Sequence, residues 1–311
     1  MTALASASRS TPAVQEPPRR RGTLARRQAL WCYVFIAPAV LGLLLISLGP
    51  MIASLWLSFT SYDLLSSPEW VGTQNYTDLI ADDLFRKSLS VTLVYGLVSV
   101  PCTMLIALVL AIMLNAKIPA LPFFRSAYYL PSVISGVAVA TLWKWMFNGE
   151  YGLINAGLAR LAIAGPAWLT DEQWALRALI FMSLWGFGGT MLIYLAGLQG
   201  VSPDVYEAGR LDGASTWQLF RHLTVPLVGP SSFFLLIMNV IYSFQVFDLV
   251  FVMTGGGPEN ATSVLVTYAY DNGFVTRDQG YAAALGLVLL LIMLIFTAVQ
   301  WRLSRTRDEV G

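Results

Sequence analysis

Charge is what this chain has least of. Only 12% of its 311 residues are Asp, Glu, Lys or Arg, where a soluble domain carries about 25%. That rate would supply about 78 charged side chains; the sequence has 19 basic and 18 acidic ones. Hydrophobic residues make up 56% and the mean hydropathy is +0.64. So few charges cannot cover a water-soluble globule, which excludes soluble α/β enzymes, disulfide scaffolds and nucleic-acid modules before any motif is read. Histidine is nearly absent too, and the single His222 argues against a histidine metal cluster or proton relay. The two cysteines, Cys32 and Cys102, lie inside apolar stretches without the spacing of a redox pair, and read as small buried hydrophobes. No Gly-x-x-x-x-Gly-Lys-Ser/Thr segment occurs, so the chain has no phosphate-cradling loop of that type.

What is abundant is long apolar sequence. Six runs stand out, at about 31–59, 89–114, 126–147, 178–198, 228–253 and 281–301. Each reaches the roughly 20 residues that a helix needs to cross a ~30 Å hydrocarbon layer. Lipid-exposed strands are excluded because their peptide groups would go unpaired. The first run is too long for a signal-peptide core and lacks a cleavage site; Pro38 and Pro50 mark a bend near each of its ends. The expected fold is therefore all-α and polytopic. It has a polar basic tail over 1–28, a six-span domain over 29–303 and a short tail over 304–311.

With six spans, both termini share a side with the 115–125 and 199–227 loops. That side holds 13 Lys/Arg against 6 Asp/Glu, and the other side 6 against 11. Basic residues stay in the cytoplasm, so both termini are expected there. The three loops on the opposite side, 60–88, 148–177 and 254–280, exceed minimal helix connections. They read either as docking surfaces for another protein or as passive packing.

The 199–227 loop is not a plain linker. Ser202 suits a helix N-cap, Pro203 the first helical position, and Asp204 and Glu207 the positive helix end. Val205, Ala208 and Leu211 repeat at helical spacing, Gly213 admits a tight turn, and Trp217, Leu219 and Phe220 open a second apolar segment. Two small helices folded on the cytoplasmic face result. Such a helix can lie in the bilayer interface or enter a groove on a partner protein, and composition alone leaves both open.

The stretch Glu207-Ala208-Gly209-Arg210-Leu211-Asp212-Gly213-Ala214, followed by Leu223-Thr224-Val225-Pro226, resembles the cytoplasmic "EAA" loop of binding-protein-dependent ABC importer permeases. Gly209 departs from that pattern, where an alanine is usual. Phe124-Arg125-Ser126-Ala127-Tyr128-Tyr129-Leu130-Pro131, Leu195-Ala196-Gly197-Leu198-Gln199 and Thr254-Gly255-Gly256-Gly257-Pro258 resemble further family segments. The last is frequent in the carbohydrate branch, the maltose, glycerol-phosphate and multiple-sugar permeases. The resemblance covers about residues 31–302. It implies a non-catalytic subunit of the bacterial cell membrane, paired with a second related permease, two ATP-binding subunits that use ATP and Mg, and an extracytoplasmic solute-binding protein. It also implies that Tyr206, Glu207, Ala208, Gly209, Asp212, Gly213 and Ala214 form the coupling helix, which inserts into a cleft of the ATPase. Gly255, Gly256, Gly257 and Pro258 read more simply as an outer turn, since no lysine accompanies them.

Within the fifth run Asn239, Tyr242, Gln245 and Asp248 recur every three residues. A polar stripe facing lipid would be left unpaired, so it should face protein or a water-filled path. These groups suit a hydroxyl-rich sugar, and they equally suit hydrogen bonding between helices. In the fourth run Trp185-Gly186-Phe187-Gly188-Gly189 permits close approach or a bend, and the resemblance adds Trp185 and Gly189 as cavity-lining candidates. Trp143 and Trp145 read as interface anchors. The competing readings are an importer of glycerol phosphate or another polyol ester, an ion-coupled secondary transporter, for which no internal repeat is seen, and a membrane enzyme, for which no acid pair or nucleophile appears within the spans.

Overall fold

Runs rich in leucine, valine and alanine fold as helices because in hydrocarbon each peptide group must find its partner within its own segment. The computed structural model describes residues 21–116 and 119–308, with side chains placed over 26–116 and 119–303. The expectations for residues 1–20 and 309–311 lie outside that range. Among the described residues four stretches are long and apolar enough to cross a bilayer: Arg26–Leu57, Asp83–Asn115, Gly229–Met253 and Gln279–Leu303. A bent pair, Glu172–Gly186 with Gly188–Gln199 at 43°, makes a fifth.

The chain divides into two compact units, one ending at Ala53 and the other starting at Ser54. The first unit holds α1 (Arg21–Gly42), a π-helical stretch Leu43–Leu48 and the start of α2 (Gly49–Leu57). Pro38 lies inside α1 without ending it. The irregularity falls just before Pro50, where the Gly49 N–H reaches back five residues to the Leu44 carbonyl, as a proline without an N–H encourages. Cys32 is a free and exposed thiol, not the buried one expected.

The second unit begins with a departure from the all-helical expectation. Strands β1 (Thr60–Ser61) and β2 (Glu69–Trp70) pair antiparallel, Thr60 opposite Trp70. Their connector is tied by Asp63, which accepts from the Ser66 N–H and hydroxyl and the Leu65 N–H; those donors hold its carboxyl down to about 2. Next come α3 (Gln74–Ala81) and α4 (Asp83–Asn115), with the Asp82 carboxylate capping the Leu84 N–H at 2.8 Å. The span expected over 126–147 is not one helix. It is α5 (Leu121–Tyr129), a 3-10 turn Leu130–Ser132 and α6 (Gly136–Met146). Pro131 brings no N–H to a continuing helix, and Ser135 turns extended (ψ 131°) before α6. Then follow α7 (Leu153–Arg160), α8 (Glu172–Ser183), a 3-10 turn Leu184–Gly186 and α9 (Gly188–Gln199). After them come α10 (Pro203–Leu211), α11 (Thr216–Leu219), a π turn Phe220–Thr224 and α12 (Val225–Leu227). The chain continues as α13 (Gly229–Phe244), α14 (Asp248–Met253), α15 (Leu265–Tyr270), a π turn Asp271–Val275 and α16 (Gln279–Asp308).

Helix α4 is the axis of this unit. Its Ala107, Ala111 and Leu114 are buried against Met191, Tyr194, Leu195 and Leu198 of α9 and Leu235 of α13. Gly197 approaches α13 so closely that a Cβ there would meet Ser231 Oγ at 2.5 Å, the small-residue contact by which membrane helices gain dispersion energy. Nearer the other end Val91 and Tyr95 join Trp143, Phe147, Leu179, Val250 and Met253. Trp143, only 7% exposed, is thus a core residue and not an interface anchor; its ring packs on Phe147, Phe181 and Trp185. Trp145 is exposed, as an anchor would be.

The Asp82 end of α4 is stapled to what lies beside it. Asp82 Oδ2 accepts from the Tyr281 hydroxyl of α16 at 2.7 Å and from the Tyr268 hydroxyl of α15. The loop after α14 is held by Lys87 on the Glu259 carbonyl, by a 3.1 Å contact between the Ser88 and Ser263 hydroxyls, and by the Leu265 N–H on Thr92 Oγ1 at 2.9 Å. At the opposite end Arg125 Nη2 donates to the Leu114 carbonyl at 3.1 Å, and the 199–227 segment starts and finishes there, with Leu198 and Val228 packed beside Leu114.

Partial burial pushes the Asp82 carboxyl up, but the two phenol donors and the Leu84 and Phe85 N–H groups outweigh it and hold the group below its ordinary value. A depressed folded-state pKa contributes stability that is whole above the unfolded value, about 3.9, and is lost as pH falls through the folded one. Thermal unfolding in detergent should therefore lose stability below about pH 4, and Asp82→Asn should flatten that acid limb. An unchanged limb in the variant would remove the clamp from the account.

Candidate functional site

Two features stand out in the second unit: a folded hairpin at the Asn115 end of α4, and a pair of hollows among the helices. The hairpin is α10 and α11. The Ser202 hydroxyl accepts from the Asp204 N–H at 3.3 Å to start α10, and Gly213 takes φ +80° to end it. Ser215 and Gln218 then form a reciprocal capping box at the start of α11. The two helices expected from the sequence are present, and the structure adds which face is packed. Tyr206 and Gly209 turn toward the chain: the Tyr206 hydroxyl donates to Thr224 Oγ1 at 3.3 Å, and a Cβ on Gly209 would lie 2.8 Å from Leu219 and 3.1 Å from Leu223. Gly209 is thus seated against the tips of two flexible side chains, a contact that leaves little room for anything larger than alanine. The Val205, Ala208 and Leu211 stripe instead points away from the fold, with Leu211 89% exposed. Glu207, Asp212 and Gly213 are exposed beside it, Ala214 is half-buried, and Trp217 adds an exposed indole.

The hollows lie where helices break. One, of about 500 Å³, is bordered by Tyr95 and Ser99 of α4, Gly189 and Thr190 of α9, and Asn239 and Tyr242 of α13. The other, of about 520 Å³, is bordered by Pro131 and Ser132, by Trp185 and Gly186, and by Gln245 and Asp248. Those three pairs come from the interruptions between α5 and α6, α8 and α9, and α13 and α14. Ser132, Ser183 and Gly186 border both hollows. Irregular backbone at membrane depth persists only where protein covers it or a wet cavity adjoins it, so three breaks around one space mark that space as polar.

The break after Phe244 also divides the stripe read from sequence. Asn239 and Tyr242 face the first hollow, Gln245 and Asp248 the second. Asn239 is engaged structurally: its Nδ2 donates to the Leu235 carbonyl at 2.8 Å and lies 3.3 Å from Thr190 Oγ1. Gln245 Nε2 reaches only the Met293 sulfur, at 3.9 Å. The Tyr242 ring is 65% exposed. Of the glycines in the fourth run, Gly188 makes the close approach, with a Cβ position 2.6 Å from the Tyr128 carbonyl oxygen, while Gly189 faces open space. Sequence reasoning missed Ser132, Ser183, Thr190 and Tyr95. Hydroxyls spaced along apolar runs were the available signal, but isolated serine and threonine commonly bond their own helix, as Ser183 does to the Ile180 carbonyl.

The glycine turn after α14 is closed by its threonines. Gly255 and Gly256 take φ of +59° and +89°, Thr254 and Thr262 hydroxyls meet at 2.7 Å, and Thr262 also donates to the Gly257 carbonyl. Pro258 follows on the exit, as a turn and not a phosphate loop requires.

A polytopic helical chain whose spans break around a hollow has the architecture of a membrane transport subunit. Residues 86–308 match the family described as the binding-protein-dependent transport system inner membrane component, and the chain belongs to it. The probable ABC transporter permease protein YesP of Bacillus subtilis is 38% identical over 90% of this chain and 92% of its own length. The multiple sugar-binding transport system permease protein MsmF of Streptococcus mutans is 33% identical over 88% and 95%. A solved bacterial ABC transporter for import of the acidic polysaccharide alginate contains a chain of the same fold, with TM-score 0.79, 23% identity, and coverage of 92% of this chain and 99% of that one. The protein is therefore a multi-pass inner-membrane permease of an ABC importer, non-catalytic and without a cofactor of its own.

Gly209 gives a direct test of the hairpin. Gly209→Ala asks only the tips of Leu219 and Leu223 to yield and gains up to ~1 kcal/mol of helix propensity, so it should be close to neutral. Gly209→Val should cost ~1–3 kcal/mol of local packing and sharply lower ATP-driven uptake at unchanged membrane content. Equal uptake by the two variants would show that α10 does not depend on this approach.

Proposed function

We propose that this chain is one of two related permease subunits of an ATP-driven importer of sugars or oligosaccharides, and that the exposed Val205–Ala208–Leu211 stripe is the surface an ATPase subunit grips. The reading rests on that stripe. An apolar helix face held outward by a packed face beneath it has no reason to exist on an isolated subunit, and an amphipathic helix entering a groove is a recurrent mode of docking. Glu207 and Asp212 flank the stripe and supply its orientation; Tyr206, Gly209, Gly213 and Ala214 fix its stance on the membrane part.

The two α5–α6 helices together cross the bilayer, which brings the number of crossings to six. Both termini and the hairpin then share the basic, cytoplasmic side. The loops 60–88, 148–177 and 254–280, folded and stapled, face outward and receive a solute-binding protein. The hollows lined by Trp185, Gly189, Asn239, Tyr242, Gln245 and Asp248 form this subunit's half of a translocation path, completed by the second permease. Tyrosine hydroxyl, amide and serine groups match sugar hydroxyls, while Trp185 and Tyr242 offer ring faces to sugar C–H surfaces. The name of the Streptococcus relative, which concerns multiple sugars, agrees with that chemistry. No covalent step occurs here: two ATP-binding subunits close on ATP and Mg, the hairpin carries their motion to α9 and α13, and the broken helices shift about the hollow.

Replacing Glu207 and Asp212 together by alanine should uncouple transport from hydrolysis or prevent ATPase assembly while membrane insertion persists; normal sugar-stimulated hydrolysis and uptake in the double variant would defeat the coupling assignment. In the hollows, Tyr242→Ala and Gln245→Ala should each change uptake rate or selectivity, by about tenfold where one lost hydrogen bond is worth ~1–1.5 kcal/mol, with little effect on assembly. Unaltered uptake of every sugar tried would take both residues out of the path.

A further inference from the structure

The linings of the two hollows contain no lysine, arginine, histidine or glutamate, and a single formal charge, that of Asp248. Asp248 is exposed and takes part in neither of the ion pairs found among the described residues. The nearest basic residue on the packed helix α6 is Lys144, whose amine is committed to the Val252 carbonyl at 2.9 Å. Directly beside Asp248 lies the start of α6. A Cβ added to Gly136, its first residue, would sit 3.4 Å from Asp248 Oδ2. An eleven-residue helix presents unpaired N–H groups and about half a positive charge at that end, which is where an anionic cargo would otherwise be drawn.

Resting on the pathway reading above, we propose that Asp248 makes this subunit's half of the path selective for uncharged saccharides: its carboxylate lies beside the anion-attracting start of α6, offsets that positive end, and leaves an acidic sugar no positive group to bind. The carboxylate has two oxygens free to accept hydrogen bonds from sugar hydroxyls, beside the Ser132 and Ser183 hydroxyls and the Gln245 amide. A uronate or sulfonate at the same place meets a like charge a few ångströms away, a repulsion that added salt screens. The same fold serves an importer of an acidic polysaccharide, so the fold does not decide cargo charge; a residue on this wall can.

The test uses the chain purified in detergent with its companion permease and ATPases, without the binding protein, so that delivery does not mask what the path itself accepts. Saturation-transfer NMR is recorded with two probes of equal length, maltotriose and trigalacturonate. The wild type should bind maltotriose and discriminate against trigalacturonate by about tenfold or more at low salt, and raising the salt should narrow the gap by strengthening the acidic probe alone. Asp248→Asn should raise binding of the acidic probe about tenfold, while Asp248→Glu keeps the discrimination. Equal binding of both probes to the wild type, or discrimination unchanged in Asp248→Asn, overturns the charge rule and leaves the pathway standing. Absence of any saturation transfer from either probe, in wild type and variants alike, overturns the pathway reading and the rule with it. The salt series needs no variant, so a misassembled Asp248→Asn complex does not protect the proposal.

Discussion

The constraint on which the rest depends is the close approach of α4 to α9 and of α9 to α13. In a bilayer, water does not drive helices together, so they associate through fitted surfaces and the few polar bonds between them. Here the fit is made by Ala107 and Ala111 on α4 and by Gly197 on α9. These positions lie toward the hairpin end, where the three helices are tightest. Further along, α4 and α13 meet again at Gly96 and Ser243, while Thr190 of α9 and Asn239 of α13 border the first hollow. In the proposed coupling, a push on the hairpin reaches the hollow through this seam, because the helices are stiff between them.

The proposed coupling requires a hairpin that is itself rigid. Its rigidity has local causes: a capped start at Ser202, a left-handed stop at Gly213, a second cap at Ser215 and the seat of Gly209 on Leu219 and Leu223. None of these contributes more than ~1–2 kcal/mol by itself. Together they leave one face of α10 with nowhere to go but outward. The exposed stripe is the consequence of how the other face is satisfied.

Much of this was legible in the sequence, and the misses share one cause. Apolar runs, caps, the glycine turn and the motif around Glu207 depend on local residue order, and sequence reports local order well. What sequence could not supply was which side of an element packs. Val205, Ala208 and Leu211 have the spacing of a buried face yet point outward, because Gly209 offers the closer approach on the opposite side. Trp143 had the position of an interface anchor but turned into an aromatic core, since Phe181 and Trp185 come from elsewhere in the chain to pack on it beside Phe147, one turn along its own helix. The break within 126–147 was visible in Pro131 and Gly136. Hydropathy averaged over the run concealed it.

That break acquires meaning only beside the other two. A single interruption in a membrane helix costs unpaired peptide groups and invites the explanation of a tolerated flaw. Three interruptions, at Leu130–Ser135, Leu184–Phe187 and Gln245–Phe247, border one space. Each releases backbone donors and acceptors that water or cargo must satisfy, and none could be kept cheaply if lipid filled the gap. The hollow is therefore wet because the helices break there, and the breaks persist because the hollow is wet. In such a place side chains need only adjust a polar surface the backbone already provides. On the proposed path, serines, a glutamine and a tyrosine meet a hydroxyl-rich cargo, and one carboxylate beside the start of a helix sets which charge enters.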